Sequence, residues 1–135
     1  MEKRVIEFRA WNKIDSEMLK WNVINQTAFN CGSGQLMYKI FVSNRENFEL
    51  MQYIGVIDKF GNKIYEGDIL KGNFGTGGGG DSTKYKSFNF SISYYAKSAK
   101  FEIDMPKDYK QYRYMPYLNQ CEIIGNIYEN ANLLK

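Results

Sequence analysis

Apolar and polar side chains alternate most regularly in one stretch of the chain, Ser87-Phe88-Asn89-Phe90-Ser91-Ile92-Ser93-Tyr94-Tyr95. A period of two is typical of a β-strand with one buried face. The alternation places four side chains on that face, namely Phe88, Phe90, Ile92 and Tyr94. A turn at 96–98 follows, and residues 101–105 then alternate in the same way. The two segments are therefore predicted to form a half-buried antiparallel hairpin.

Other short segments of the chain also have strand character. Strands are expected at 5–11, 18–24, 36–42, 51–57 and 121–128, and a helical turn is expected within 43–51 and again near 129–135. Gly61 and Asn62 supply turn chemistry, because both residue types reach positive φ at little cost. About eight short strands separated by turns predict a mainly β protein, a β-dominated α+β fold.

The composition excludes several kinds of chemistry. The 135 residues include no histidine and only two cysteines. Ser-His-Asp and Cys-His catalysis and His-ligated zinc are therefore excluded, and two thiols cannot complete a four-thiolate zinc site. No apolar stretch approaches the ~20 residues of a membrane span, and no apolar signal region follows the first residues. We expect a cytoplasmic protein with reduced thiols, no cofactor, no metal and no membrane partner.

Carboxylates occur near two predicted turns, at Asp58, Glu66 and Asp68. Paired carboxylates can bind a metal ion or act as acid and base. A tight turn also favours Asp and Gly for backbone reasons alone. We interpret Glu66, Gly67 and Asp68 as a structural turn motif, so no catalytic residue is assigned and no enzyme activity is expected.

The segment from Lys84 to Tyr117 is both basic and aromatic. It holds ten of the 22 aromatic residues, and its seven Lys and Arg outnumber its three Asp and Glu. Aromatic rings stack on bases and cations neutralise phosphates, which suits single-stranded nucleic acid. Tyrosine is equally suited to a protein interface or to the rim of a core. The candidate binding residues are Lys84, Tyr85, Lys86, Tyr95, Lys97, Lys100, Tyr109, Lys110, Tyr112, Arg113 and Tyr114; Tyr117 also has no strand position.

Three segments together resemble the YopX family of phage and prophage proteins. The first is Ile6-Glu7-Phe8-Arg9-Ala10-Trp11-Asn12-Lys13, and the last is Glu122-Ile123-Ile124-Gly125-Asn126-Ile127-Tyr128-Glu129-Asn130, followed by Leu133-Leu134. The most characteristic lies between them, at Leu50-Met51-Gln52-Tyr53-Ile54-Gly55-Val56-Ile57-Asp58-Lys59-Phe60-Gly61-Asn62-Lys63-Ile64-Tyr65-Glu66-Gly67-Asp68-Ile69-Leu70. This chain departs from the family pattern at two positions: the family usually has Asp where Asn12 stands and Thr where Ile54 stands. The long insert with four consecutive glycines is peculiar to this chain, so nothing of the family is carried over to residues 72–120.

The resemblance implies a β-rich phage protein in the cytoplasm of an infected or lysogenic bacterium, and it implies self-association. In the family pattern, Glu66-Gly67-Asp68-Ile69 looks like the turn that opens a small SH3-like barrel. We expect a single YopX-like domain over 1–135. Its N-terminal hairpin-rich β lobe (1–63) is expected to pack on a C-terminal SH3-like barrel (64–135) with a Gly-rich loop at 72–83.

The resemblance transfers no enzymatic activity. We expect an accessory phage protein that acts by binding and self-association, as a homo-oligomer with a phage or host protein as a further partner. The alternative is a single-stranded nucleic-acid-binding protein that uses the basic and aromatic residues between 84 and 114.

Overall fold

The computed structural model describes residues 2–27, 39–77, 83–105 and 115–135. In these ranges one α-helix, α1 (Trp21–Thr27), accompanies eight strands, and no helix is long and apolar enough to cross a membrane. The mainly β fold expected from the sequence is confirmed. The strands are β1 (Phe8–Asn12), β2 (Glu17–Leu19), β3 (Phe48–Ile57), β4 (Lys63–Tyr65), β5 (Asp68–Gly75), β6 (Tyr85–Tyr95), β7 (Lys100–Asp104) and β8 (Glu122–Asn126).

The strands form two antiparallel sheets of four strands each. Their orders are β2-β1-β3-β4 and β7-β6-β5-β8, and one of the two sheets is curled into a half-barrel. By its contacts the chain divides into two compact units, Met1–Tyr53 and Ile54–Lys135. The single domain with lobes at 1–63 and 64–135 stays a prediction.

In the first unit, β1 and β2 form the expected hairpin, with Ala10 opposite Leu19. The strand predicted over 18–24 is wrong beyond Leu19, because the chain enters α1 at Trp21. Helical spacing places Trp21 and Ile24 on neighbouring positions of one face. The ring of Trp21 lies 5.9 Å from that of Phe8, and Ile24 is fully buried beside Ala10.

The strand predicted over 36–42 is also wrong in its described part. Residues Lys39–Ser43 form a π-helical turn instead, and Ile40 is buried in the same cluster as Ala10 and Ile24. Both errors have one cause: apolar residues in a short segment fit either a strand or a helix, and packing against β1 selects the helix.

The second unit is built around the face predicted from the alternation in β6. Phe88, Phe90 and Ile92 are buried, and the ring of Phe74 from β5 meets Phe88 and Phe90 edge to face at 5.5 and 5.6 Å. Tyr94 is the exception, since nearly half of it is exposed. Residues of β6 pair with β5 only as far as Ser91, so among the described strands β7 alone lies beside Tyr94.

The glycine-rich stretch is not a loop at its beginning. Predicted as a loop over 72–83, it continues as β5 through Gly75, which pairs with Tyr85 of β6. Gly72 is required for close approach: a Cβ there would lie 2.7 Å from Cys121 Sγ and 2.8 Å from Pro116 Cγ. Residues 78–82 lie outside the described residues.

The turn between β4 and β5 connects several strands of the second unit. Gly67 has a φ of +80°, which glycine adopts without strain. Its N–H donates to the Ile92 carbonyl at 2.8 Å, and its carbonyl accepts from the Ile127 N–H at 2.9 Å. The Asp68 carboxylate accepts the Tyr65 N–H at 2.8 Å, which closes the turn.

The carboxylate of Asp58 joins the turn after β3 to β8. It is 2% exposed, and Oδ1 accepts the N–H groups of Phe60 and Asn62 at 2.9 Å each. Oδ2 accepts the Asn62 side-chain amide at 3.3 Å and the Ile123 N–H at 3.2 Å. Burial acts to raise the pKa of this carboxyl, but the hydrogen bonds from Asn62, Ile123 and Phe60 outweigh it and lower the pKa below 3.8.

Replacing Asp58 with Asn tests this connection. An amide nitrogen cannot accept hydrogen bonds, so some buried N–H donors lose their partner, and we expect a loss of about 2–4 kcal/mol in unfolding free energy at pH 7. The folded pKa is lowered, so the stabilisation is complete above 3.8 and is lost as the pH falls through the folded pKa. The difference in unfolding free energy between the two proteins, measured by urea unfolding, should therefore become smaller as the pH falls below 3.8.

The control for Asp58→Asn is Glu17→Gln, which neutralises an exposed carboxylate on β2. Its unfolding free energy should stay within about 0.5 kcal/mol of the parent protein. Equal stability of the Asp58→Asn variant and the parent at pH 7 would contradict the structural role of Asp58.

Candidate functional site

The described candidate residues fall into two groups at opposite ends of β6. Lys84, Tyr85 and Lys86 lie at its start, whereas Tyr95, Lys97 and Lys100 lie at or just after its end. Ten residues of extended strand separate the ends by roughly 33 Å. The structure therefore does not bring these six residues into one patch. The other five candidates, Tyr109, Lys110, Tyr112, Arg113 and Tyr114, lie outside the described residues.

In the group at the end of β6, the positive charge of Lys100 is already paired. Lys100 lies opposite Tyr95 in the β6–β7 register, and its Nζ lies 2.9 Å from a carboxylate oxygen of Glu102. Lys97 lies in the short 3₁₀ turn Ala96–Ser98 between the two strands. Of the residues in this group, Lys97 is exposed and forms no ion pair within the described part of the chain.

The group at the start of β6 borders a cleft of about 440 Å³. Two tyrosines on its wall are strongly exposed, Tyr85 at 71% and Tyr117 at 77%. The backbone around Tyr85 is well anchored: the N–H of Lys84 donates to Thr76 Oγ1 at 3.0 Å, and the N–H of Thr76 donates to the Lys84 carbonyl at 2.9 Å. The cleft is lined by Asn73, Tyr85, Met115, Pro116, Tyr117 and Gln120.

Glycine at position 75 determines where the Tyr85 ring can lie. A Cβ on Gly75 would lie 3.1 Å from Cε1 of Tyr85, so the ring covers the glycine backbone of the adjacent strand. Lys86 is also exposed, and its Nζ lies 5.1 Å from the centroid of the Phe88 ring. Lys86 follows Tyr85 in β6, but the alternation of the strand places it on the face of Phe88, opposite to that of the Tyr85 ring.

Sequence reasoning found Tyr85 and its two lysines but not the rest of the cleft. Tyr117 has no place in the alternating strand pattern of the sequence, and this is the one local signal for its exposure. Asn73, Met115 and Gln120 gave no signal, because they join the cleft through β5 and through the chain that leads into β8.

Two of the three candidate carboxylates, Asp58 and Asp68, are used in turns. Asp58 and Asp68 are both buried and accept backbone hydrogen bonds, as the turn interpretation requires. No group of three Cys, Asp or Glu side chains within the described ranges is placed to hold a metal ion.

The Cys121 thiol is fully buried, and its Sγ donates to the Tyr117 carbonyl at 3.4 Å. Burial raises the pKa of this thiol to about 11, and the nearby positive charge of Lys59 offsets only part of that increase. At neutral pH the side chain is therefore a thiol, which is a weak nucleophile.

Iodoacetamide labelling of a Cys31→Ser variant tests the state of Cys121. With a pKa of about 11 and no exposed surface, Cys121 should react at pH 8 at least about 100-fold more slowly in the folded protein than in 6 M guanidinium chloride. Peptide mass analysis over time gives both rates. Rapid labelling of the folded protein would contradict the buried placement.

The fold and site define a mainly β protein of two four-stranded sheets with a cleft that is lined by two exposed tyrosines. The YopX protein family model matches residues 7–135, so the chain belongs to the YopX family. Its structure is similar to the crystal structure of protein EF1440 from Enterococcus faecalis, with 22% identity and a TM-score of 0.57 over 98% of this chain and 100% of that chain. This likeness shows the fold. A comparison with the curated proteins finds no match.

Proposed function

We propose that this protein acts by binding rather than by catalysis, and that its ligand is single-stranded nucleic acid held at the cleft of Tyr85 and Tyr117. The supporting observation is that two aromatic side chains, each more than two-thirds exposed, line one cleft, and that a lysine stands on each side of Tyr85 in the chain. Membership of the YopX family supports a phage or prophage origin and a place in the bacterial cytoplasm as parts of the same proposal.

The cleft supplies the interactions that an unpaired strand needs. The faces of Tyr85 and Tyr117 can stack on bases of any sequence, and stacking contributes about 1–3 kcal/mol per base. Lys84 and Lys86 flank Tyr85 in the chain and add positive charge near the cleft, which attracts phosphates, although the alternation of β6 directs Lys86 to the other face of the strand. The amides of Asn73 and Gln120 can hydrogen-bond to base edges, which favours a modest sequence preference.

The polar groups inside the second unit support binding over catalysis. The carboxylates of Asp58 and Asp68 are buried in turns, and the Cys121 thiol is held protonated by burial. None of these three groups is available to a ligand in the cleft without unfolding of the surrounding turns.

Substitution of Tyr85 tests the role of stacking. Tyr85→Ala should weaken the binding of a fluorescent 12-nucleotide oligo-dT by about 5- to 150-fold, which corresponds to the loss of one stacked base. Tyr85→Phe keeps the ring and should bind within about twofold of the parent protein. Fluorescence anisotropy at 50 mM salt measures all three affinities.

The matched control for Tyr85 is Tyr95→Ala, which removes an exposed ring at the opposite end of the same strand. Its affinity should equal that of the parent protein. The proposal is wrong if the parent protein binds no oligonucleotide at 50 mM salt, or if Tyr85→Ala binds as tightly as the parent.

A second candidate function, self-association, is favoured by the outer edge of the second sheet. Among the described strands, β7 has a neighbour on one side only, and the exposed Tyr94 and Tyr95 lie beside it at the end of β6. An unpaired strand edge can pair with the same strand of a second copy. A homo-oligomer would in that case form away from the Tyr85 cleft, and a phage or host protein could use either surface.

Light scattering coupled to size-exclusion chromatography tests this candidate. We expect the parent protein to be a discrete dimer at micromolar concentration and the Tyr94→Lys variant to be a monomer. In a dimer of the variant, the two introduced lysines would face each other across the interface and repel. Tyr85→Lys, at the other end of β6, should remain dimeric. A parent protein that is monomeric at 100 μM would contradict self-association.

A further inference from the structure

We infer that a second cleft, next to the first, holds the phosphates of the same nucleic-acid strand, so that the ligand runs along one face of β5 and β6. This inference rests on the proposed function, since it extends the same site. The second cleft has a volume of about 450 Å³. Its lining residues are Lys71, Lys86, Ser87, Phe88, Asn89, Leu133, Leu134 and Lys135.

The register of β5 and β6 makes the two clefts continuous. Asn73 lines the first cleft and Ser87 lines the second, and these residues are direct cross-strand partners. Directly opposed residues of an antiparallel pair lie on one face with Cβ atoms about 5 Å apart. Among the described strands none lies between β5 and β6, so a ligand can pass from one cleft to the other over Asn73 and Ser87.

The same register gives the length of this path. The pair of Gly75 and Tyr85 lies at one end, and the pair of Lys71 and Asn89 lies at the other. Four residues of strand span roughly 13 Å. At a rise of about 3.4 Å per stacked nucleotide, the face accommodates about four nucleotides.

The charges in the second cleft favour an anionic ligand. Two of its lining residues are lysines whose charge can meet a ligand on this face, Lys71 and Lys135, and none of its lining residues is Asp or Glu. Neither lysine forms an ion pair within the described part of the chain. Glu122 is the cross-strand partner of Lys71, but its carboxylate lies 3.1 Å from Lys59 Nζ and is already paired.

A specific contact anchors the last residues of the chain on this face. The side-chain amide of Asn89 donates to the Leu133 carbonyl at 2.9 Å, which holds the 3₁₀ turn Ala131–Leu134 against β6. The N–H of Lys135 bonds to the Asn132 carbonyl at 3.3 Å and continues that turn. The backbone of Lys135 is therefore held near β6, and the turn forms one wall of the cleft.

Salt dependence of binding tests whether these lysines contact phosphates. For oligo-dT and oligo-rU of 12 nucleotides, Lys71→Gln and Lys135→Gln should each reduce the slope of log affinity against log salt by about 0.7. Each variant should lose about three times less affinity than the parent protein when the salt rises from 50 to 200 mM. Lys97→Gln is the matched control, because Lys97 is exposed at the far end of β6, and its slope should not change.

A length series gives a second readout. Affinity should rise steeply as the oligonucleotide lengthens from two to four nucleotides. Beyond four, it should rise only in proportion to the number of four-nucleotide stretches that the oligonucleotide offers to the face. Unchanged salt slopes for Lys71→Gln and Lys135→Gln, with binding still weakened by Tyr85→Ala, would overturn this inference and leave the proposed function standing. A parent protein that binds neither oligonucleotide would overturn both.

Discussion

The buried carboxylate of Asp58 is the interaction on which the second unit depends. Its four hydrogen bonds close the turn after β3 and attach that turn to Ile123 of β8. The Lys59 N–H adds a bond to the Cys121 carbonyl at 2.9 Å, just before β8. Cys121 and Pro116 then reach Gly72 so closely that no side chain fits there. A turn carboxylate thus positions the segment that forms one wall of the tyrosine cleft.

This arrangement separates structural polar groups from those available to a ligand. Asp58, Asp68 and Asn126 are buried and bonded in turns that connect the strands. Tyrosines and lysines are left on the surface at one end of β5 and β6. Rings that stack and cations that neutralise phosphate are the side chains that an extended single strand uses, and for this reason we propose binding at this surface.

The sequence predicted what depends on local pattern. Alternation located β6 and its buried Phe88 and Phe90, and turn chemistry located Gly67. Local pattern misassigned α1, because Ile24 is buried by packing against Ala10 and not by a strand neighbour. It also treated Gly72 as flexible, since the contact with Cys121 joins positions far apart in the chain. Part of the candidate site was missed for the same reason: Lys71 and Lys135 come to the face of Tyr85 only through strand register and the final turn.

The most direct test of nucleic-acid binding on this face is a backbone amide NMR titration of the ¹⁵N-labelled protein with a six-nucleotide oligo-dT. We expect shift changes concentrated at Lys71, Asn73, Tyr85, Ser87 and Tyr117, with none at Tyr95, Lys97 or Lys100. Saturable shift changes at the first set of residues, with no shift change at the second set, would support a nucleic-acid strand lying along β5 and β6. No shift change at any ratio, or changes confined to the far end of β6, would contradict it.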